Sequence, residues 1–346
     1  MFGVKAVKIL VCIGAVAVAS LAFAQAFGAS PGVGAARYAT DAYPGFDTED
    51  ENVKPERKDP HWWWWMCGGP ARETAADQFA YCRELVKEES YSKARSQLDN
   101  LVRKWPTAPE AWRAQNLLAD LLLEKLHDTE EAFKEYRYLL DFYSLQCDYK
   151  AIADRLCQVA RLMEVEGKEV MFIRFANTVE VRRAYETCVL RAPGEKWVPE
   201  AMLTIARLRE DEGKPAEAVK VYENLRNLHP GTDESLTALL REAEVRMSML
   251  RDHEYNRARC RDTIDFMKLA LRSCRPDDAR VIQGYLEEAQ GIVEREAYRE
   301  AKFYDSPTRT KRSAVAAYEK FLAEYPTSVH ADEVRARMEE LKGETK

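Results

Sequence analysis

Histidine and cysteine are the residues best suited to proton transfer, nucleophilic attack and zinc binding, so their spacing is the first thing to weigh. His61, His127, His229, His253 and His330 are scattered, and no histidine flanks a cysteine at metal-ligand spacing. The eight cysteines include no C-x-x-C, which leaves zinc and dithiol redox chemistry unsupported. G-x-S-x-G, H-E-x-x-H and phosphate-loop signatures are also missing. Gly68-Gly69-Pro70 reads as a turn, because no Lys-Ser/Thr follows it. The acid runs Glu210-Asp211-Glu212 and Glu287-Glu288 read as solvated helix faces. No catalytic, cofactor-binding or metal-binding residue is expected, and the chain does not read as an enzyme.

Two other groups suit recognition instead. Trp62-Trp63-Trp64-Trp65 is a run of four large aromatic residues, which together bury roughly 600–1,000 Å² when packed. Such an area must be covered, either by folding back over the first helices or by docking on a partner or membrane interface. Arg246, Arg251, Arg257 and Arg261 belong to an arginine-rich stretch at 233–275, interleaved with acids. That pattern fits ion pairs laced between helices, and it is also the best candidate for a charged docking face in the C-terminal half.

The elements that must carry these groups are helices. With 46% hydrophobic and 32% charged residues in 346, disorder is excluded for most of the length. The net charge of −6 argues against nucleic acid as a partner. Reading back from Pro106, residues at −12, −8, −5 and −1 are Ala94, Leu98, Leu101 and Trp105. Pro230 gives Ala218, Tyr222, Leu225 and His229; Pro326 gives Ala314, Tyr318, Phe321 and Tyr325. Ser144 keeps the register with Ala132, Tyr136, Leu139 and Tyr143. Steps of 4, 3 and 4 put these side chains on one face of a helix, with a small residue where a preceding helix comes close. Pro193 (Val181, Tyr185, Cys188, Ala192) and Pro276 (Ile264, Lys268, Leu271, Arg275) fit less well. The expected fold is all-α, an α-solenoid of about five to six helix pairs of unequal length over 72–342.

In Ala206, Gly213, Ala218, Tyr222 and Pro230 the pattern resembles the tetratricopeptide repeat. The turns Trp105-Pro106-Thr107 and Tyr325-Pro326-Thr327, and the segment from Glu296 to Tyr304 followed by Ala314 to Phe321, are similar to the BamD group of outer-membrane assembly factors. That resemblance implies a non-catalytic scaffold without cofactor. Its implied partners are a β-barrel insertase, other subunits of the assembly complex and unfolded outer-membrane protein segments. The N-terminal repeats would serve substrate segments and the C-terminal repeats the insertase. Another periplasmic adaptor, coordinating envelope constriction or peptidoglycan synthesis, is the alternative.

The N-terminus points to export. Lys5 and Lys8 precede the uncharged run Ile9–Phe23, and Ala22-Phe23-Ala24 and Ala24-Gln25-Ala26 offer cleavage sites, so 1–26 reads as a signal peptide; an uncleaved anchor is the alternative. Residues 27–61 read as a flexible tether and 62–71 as the Trp-rich docking or capping segment. Neither Cys12, inside the apolar core, nor Cys67 is placed for lipid attachment. The expected location is the periplasm, peripherally at the outer membrane. The mature cysteines are expected mostly as buried single thiols.

Overall fold

The computed structural model describes residues 46, 56–60, 68–169, 178–252, 256–306 and 310–343. The signal peptide, nearly all of the tether, Trp62–Trp65 and Cys67 lie outside these residues. Among the described residues there are thirteen helices and no strand. The contacts fall into two compact units, Met1–Pro193 and Gly194–Lys346.

The first unit holds α1 (Ala75–Lys87), α2 (Tyr91–Lys104), α3 (Ala111–Glu124), α4 (Thr129–Phe142), α5 (Tyr149–Glu169) and α6 (Thr178–Arg191). The second holds α7 (Val198–Asp211), α8 (Pro215–Leu228), α9 (Asp233–Asp252), α10 (Arg257–Ala270), α11 (Pro276–Tyr304), α12 (Lys311–Glu324) and α13 (Ala331–Gly343). Within each unit every helix packs on the next in sequence, the pattern of a helix-pair solenoid.

The even-numbered helices are all 14 residues long, about 21 Å at 1.5 Å per residue. Capping chemistry sets the start of several of them. Side-chain oxygens of Asp128, Asn256 and Thr310 accept from the first-turn N–H of Glu131, Arg259 and Ser313. Pro215 opens α8, where its missing N–H costs nothing. The face expected from the repeat register is the buried one: Ala94, Leu98, Leu101, Ala132, Tyr136, Leu139, Ala218, Tyr222 and Leu225 are all fully inaccessible.

One origin of that register is corrected. Pro276 is the first residue of α11 and closes nothing, since proline marks the start of a helix as readily as the stretch after its end. Helix α10 ends at Ala270, and the Cys274 amide donates to the Ala270 carbonyl in the turn that follows. The buried face of α10 is therefore Cys260, Thr263, Phe266, Met267 and Ala270, with Ile264 half-buried beside it, and Lys268 stays exposed. The following helix, α11, absorbs the difference with 29 residues. Ile282, Leu286 and Ala289 in its first half pack with Phe266 and Met267, whereas Ala301 in its second half packs with Tyr318 and Phe321.

Candidate interaction surfaces on the repeats

The aromatic residue at −8 does more than fill space. Tyr136 donates its hydroxyl to Asp120 (2.5 Å), Tyr185 to Glu164 (2.8 Å) and Tyr318 to Asp305 (3.0 Å), and Tyr222 donates to Glu210. In each pair the acceptor lies on, or just past, the preceding helix. Burial, reinforced by the neighbouring carboxylate, pushes these phenols above their ordinary range, so they stay donors. Asp120, Glu164, Glu210 and Asp305 are thus parts of the helix-pair latch, not free acids. Sequence reasoning read the tyrosines as packing only; the signal it passed over was an acid 12 to 21 residues earlier in each pair.

The described end of the tether, Glu56–Pro60, is laid on α2 and α4. Lys58 Nζ donates to Asp99 (2.9 Å) on α2 and to both carboxylate oxygens of Glu135 (2.6 and 2.8 Å) on α4. The three side chains are only 14%, 27% and 11% exposed. The ammonium also lies 5.4 Å from the Tyr138 ring centre, and the Arg57 guanidinium 5.0 Å from that of Phe142, both within cation–π range. Backbone is held as well: the Lys58 amide donates to Tyr138 Oη (3.2 Å), and Arg103 Nη1 donates to the Asp59 carbonyl (3.0 Å). Burial works against ionisation of Asp99, but Lys58 and Arg103 outweigh it and hold the carboxyl below its ordinary value. The chain is fixed to α2 again at Gly68, whose carbonyl accepts from Asn100 (3.3 Å), and at Ala71, whose amide donates to Gln97 (3.0 Å).

In the second unit the four arginines of the sequence reading divide. Arg246 and Arg226 both donate to the fully buried Glu242, at 2.6 to 2.9 Å, and lie over the Phe266 ring at 4.6 and 5.3 Å. Burial pushes the Glu242 carboxyl up, and the two guanidiniums pull against it. Arg251 makes a two-pronged contact with Glu288 (2.6 and 2.7 Å), joining α9 to α11. Arg257 and Arg261 are exposed at the start of α10. Arg257 reaches Glu324 at 4.0 Å and borders a groove of about 640 Å³ on α11 and α12, whose lining includes Ala297, Ala301, Ala316, Ala317 and Phe321. Helix stripes of alanine leave room for another chain to approach closely.

The histidines and cysteines have local explanations. His127 occupies the left-handed turn between α3 and α4 (φ 52°), and His229 closes α8, with burial pulling its imidazole below the ordinary range. His330 stacks on Tyr298 at 4.0 Å. His61 and His253 lie outside the described residues. Cys82, Cys147, Cys157, Cys188, Cys260 and Cys274 are free thiols. Burial raises Cys82 to about 12 and also raises Cys188, which contacts Cys157, so both stay protonated. No described helix is long and apolar enough to cross a membrane.

The family comparison accords with helix-pair repeats. Tetratricopeptide repeat family models match residues 83–145 and 200–232. No protein of curated function shows a significant match. Among solved structures, the C-terminal part of a TPR repeat-containing protein from Cytophaga hutchinsonii is 14% identical, with 87% of this chain and 96% of that one covered and a TM-score of 0.31. The TPR2AB domain of yeast Sti1 in complex with pHSP90 is 15% identical, over 66% and 88% of the two chains, with a TM-score of 0.29. A tetratricopeptide repeat protein from Parabacteroides merdae is 13% identical, over 77% and 98%, with a TM-score of 0.27. The chain carries tetratricopeptide repeats in both of its units, a fold whose usual work is to hold other proteins.

Proposed function

We propose that the protein is an exported tetratricopeptide-repeat scaffold that supports assembly and insertion of β-barrel proteins at the outer membrane. Its work is positioning, without covalent chemistry. The observation that carries this reading is the groove on α11 and α12, because it lies in the segment most similar to the BamD group and is lined by alanines together with aromatic and charged side chains. Arg257 at the groove and the exposed Arg261 on the same helix would meet an acidic face of the insertase, and the first unit would hold substrate segments. The signal-peptide pattern supports a periplasmic location. Trp62–Trp65 would supply peripheral attachment to the membrane in place of a lipid.

The test is affinity purification from membranes in mild detergent. A barrel-type insertase should be recovered, and Arg257→Glu with Arg261→Glu should reduce its yield. Absence of any insertase rules the proposal out. Recovery of constriction or peptidoglycan-synthesis proteins instead would favour the other periplasmic adaptor. Trp62–Trp65 changed to Ser should release the protein from membranes; a loss of thermal stability alone would make the run a cap.

A further inference from the structure

Glu56–Pro60 lies on α2 and α4 in the manner of a bound peptide. Its hydrogen bonds reach 41 to 80 residues along the chain and the Arg57–Phe142 contact reaches further still, and together they engage both side chains and backbone of Arg57-Lys58-Asp59. The core residues of these helices, Leu98, Leu101, Tyr136 and Leu139, are fully buried, while Glu56, Asp59 and Pro60 of the segment are exposed. What the segment supplies is positive charge. Glu135 is otherwise met by the uncharged Gln115 amide, and Asp99 by Arg103 of its own helix. A nearly buried carboxylate without a cation is costly, so this surface favours an occupant that carries one.

We propose that the surface formed by Asp99, Glu135, Tyr138 and Phe142 is a binding site for extended polypeptides bearing adjacent basic residues, and that residues 56–60 occupy it in cis. The two backbone contacts, to Tyr138 Oη and from Arg103, accept any extended chain, as is usual in peptide recognition. The acid pair and the two rings select an Arg-Lys step. A tethered occupant acts at an effective concentration on the order of millimolar, so the site opens only to a partner that outcompetes it. This holds whether or not the protein serves an outer-membrane complex.

The test uses the full chain, with a fluorescent peptide copying residues 54–60 (Lys-Pro-Glu-Arg-Lys-Asp-Pro) and a control in which Ala-Ala replaces Arg-Lys. Arg57→Ala with Lys58→Ala vacates the site. The vacated chain should bind the copy at least about tenfold more tightly than the unsubstituted chain does, because the cis competitor is gone. It should ignore the control, and lose the copy when Asp99→Asn and Glu135→Gln are added. In the unsubstituted chain, excess copy should speed hydrogen exchange at the Lys58 amide. A folded vacated chain that binds neither peptide, or binds both equally, overturns the proposal and makes 56–60 a structural strap. If the vacated chain does not fold, unchanged exchange at Lys58 under excess copy overturns it alone.

Discussion

The pair α3–α4 in the first unit and the pair α7–α8 in the second are built alike and handle buried charge differently. Both second helices are 14 residues long, and both carry a fully buried tyrosine that bonds an acid on the helix before. On α4, however, Glu135 takes its cation from Lys58, 77 residues away and outside the repeats. Beside α8, Glu242 of α9 takes both of its cations, Arg226 and Arg246, from the repeats themselves. A carboxylate satisfied from within is fixed for as long as the unit is folded. One satisfied by a surface-laid segment can exchange its partner without unfolding, and this separates a structural ion pair from a recognition site.

The sharpest way to break this contrast is to remove Glu242. Glu242→Ala leaves two guanidiniums facing each other over Phe266 with no counterion, and should cost about 3–5 kcal/mol, read as loss of the second unit's unfolding transition in urea. A cost below about 1 kcal/mol would place the pair's charges in water and remove the distinction from Glu135. The two units should behave alike where they are built alike: Tyr136→Phe and Tyr222→Phe each strand an acid short of a donor and should each cost roughly 1–2 kcal/mol. Unequal losses would show that the latch belongs to one unit only.

Much of this framework was legible in the sequence, because a buried helix face leaves a 4-3-4 pattern whatever follows it. Ala94, Ala132, Ala218 and Ala314 fell where expected, fully buried. The register slipped only at Pro276, where a proline that opens a helix looks the same as one that closes the helix before it. The acceptors of the tyrosines were hidden because Asp120, Glu164, Glu210 and Asp305 stand at differing distances from their partners, so no fixed spacing announces them. The Lys58 site was hidden more deeply. Its groups come from 58, 99 and 135, and a segment rich in Gly, Pro and charge has no period to betray that its end is docked.

Removing the external cation should have a smaller effect than removing Glu242. Lys58→Ala is expected to cost about 1–3 kcal/mol at neutral pH, because it leaves the nearly buried Glu135 with the Gln115 amide alone while Asp99 keeps Arg103. The pH dependence has a definite sign. The Asp99 carboxyl is held below its ordinary 3.8 in the folded chain, so its contribution is complete above that value and is lost as pH falls through the lower folded value. The part of the stability difference between the unsubstituted chain and Lys58→Ala that Asp99 carries should thus be complete above about pH 4 and shrink below it. A difference that stays flat into stronger acid would mean that Lys58 does not depend on the Asp99 charge.

The smallest expected effect concerns the turns that bring these acids into place. Glu89, His127 and Gly213 occupy the same position, two residues before α2, α4 and α8, and all three have positive φ (57°, 52° and 72°). Only glycine adopts that conformation freely, whereas a side chain there costs about 1–2 kcal/mol. Glycine gives part of that back through its greater freedom in the unfolded chain. His127→Gly should therefore stabilise the first unit by about 0.5 kcal/mol, a small rise in urea midpoint at unchanged slope. Because the turn sets where α4 meets α3, the variant should leave the hold on Lys58 as it is. Faster exchange of the Lys58 amide in His127→Gly would show that the histidine turn, and not the acid pair alone, governs how the first unit takes up an extended chain.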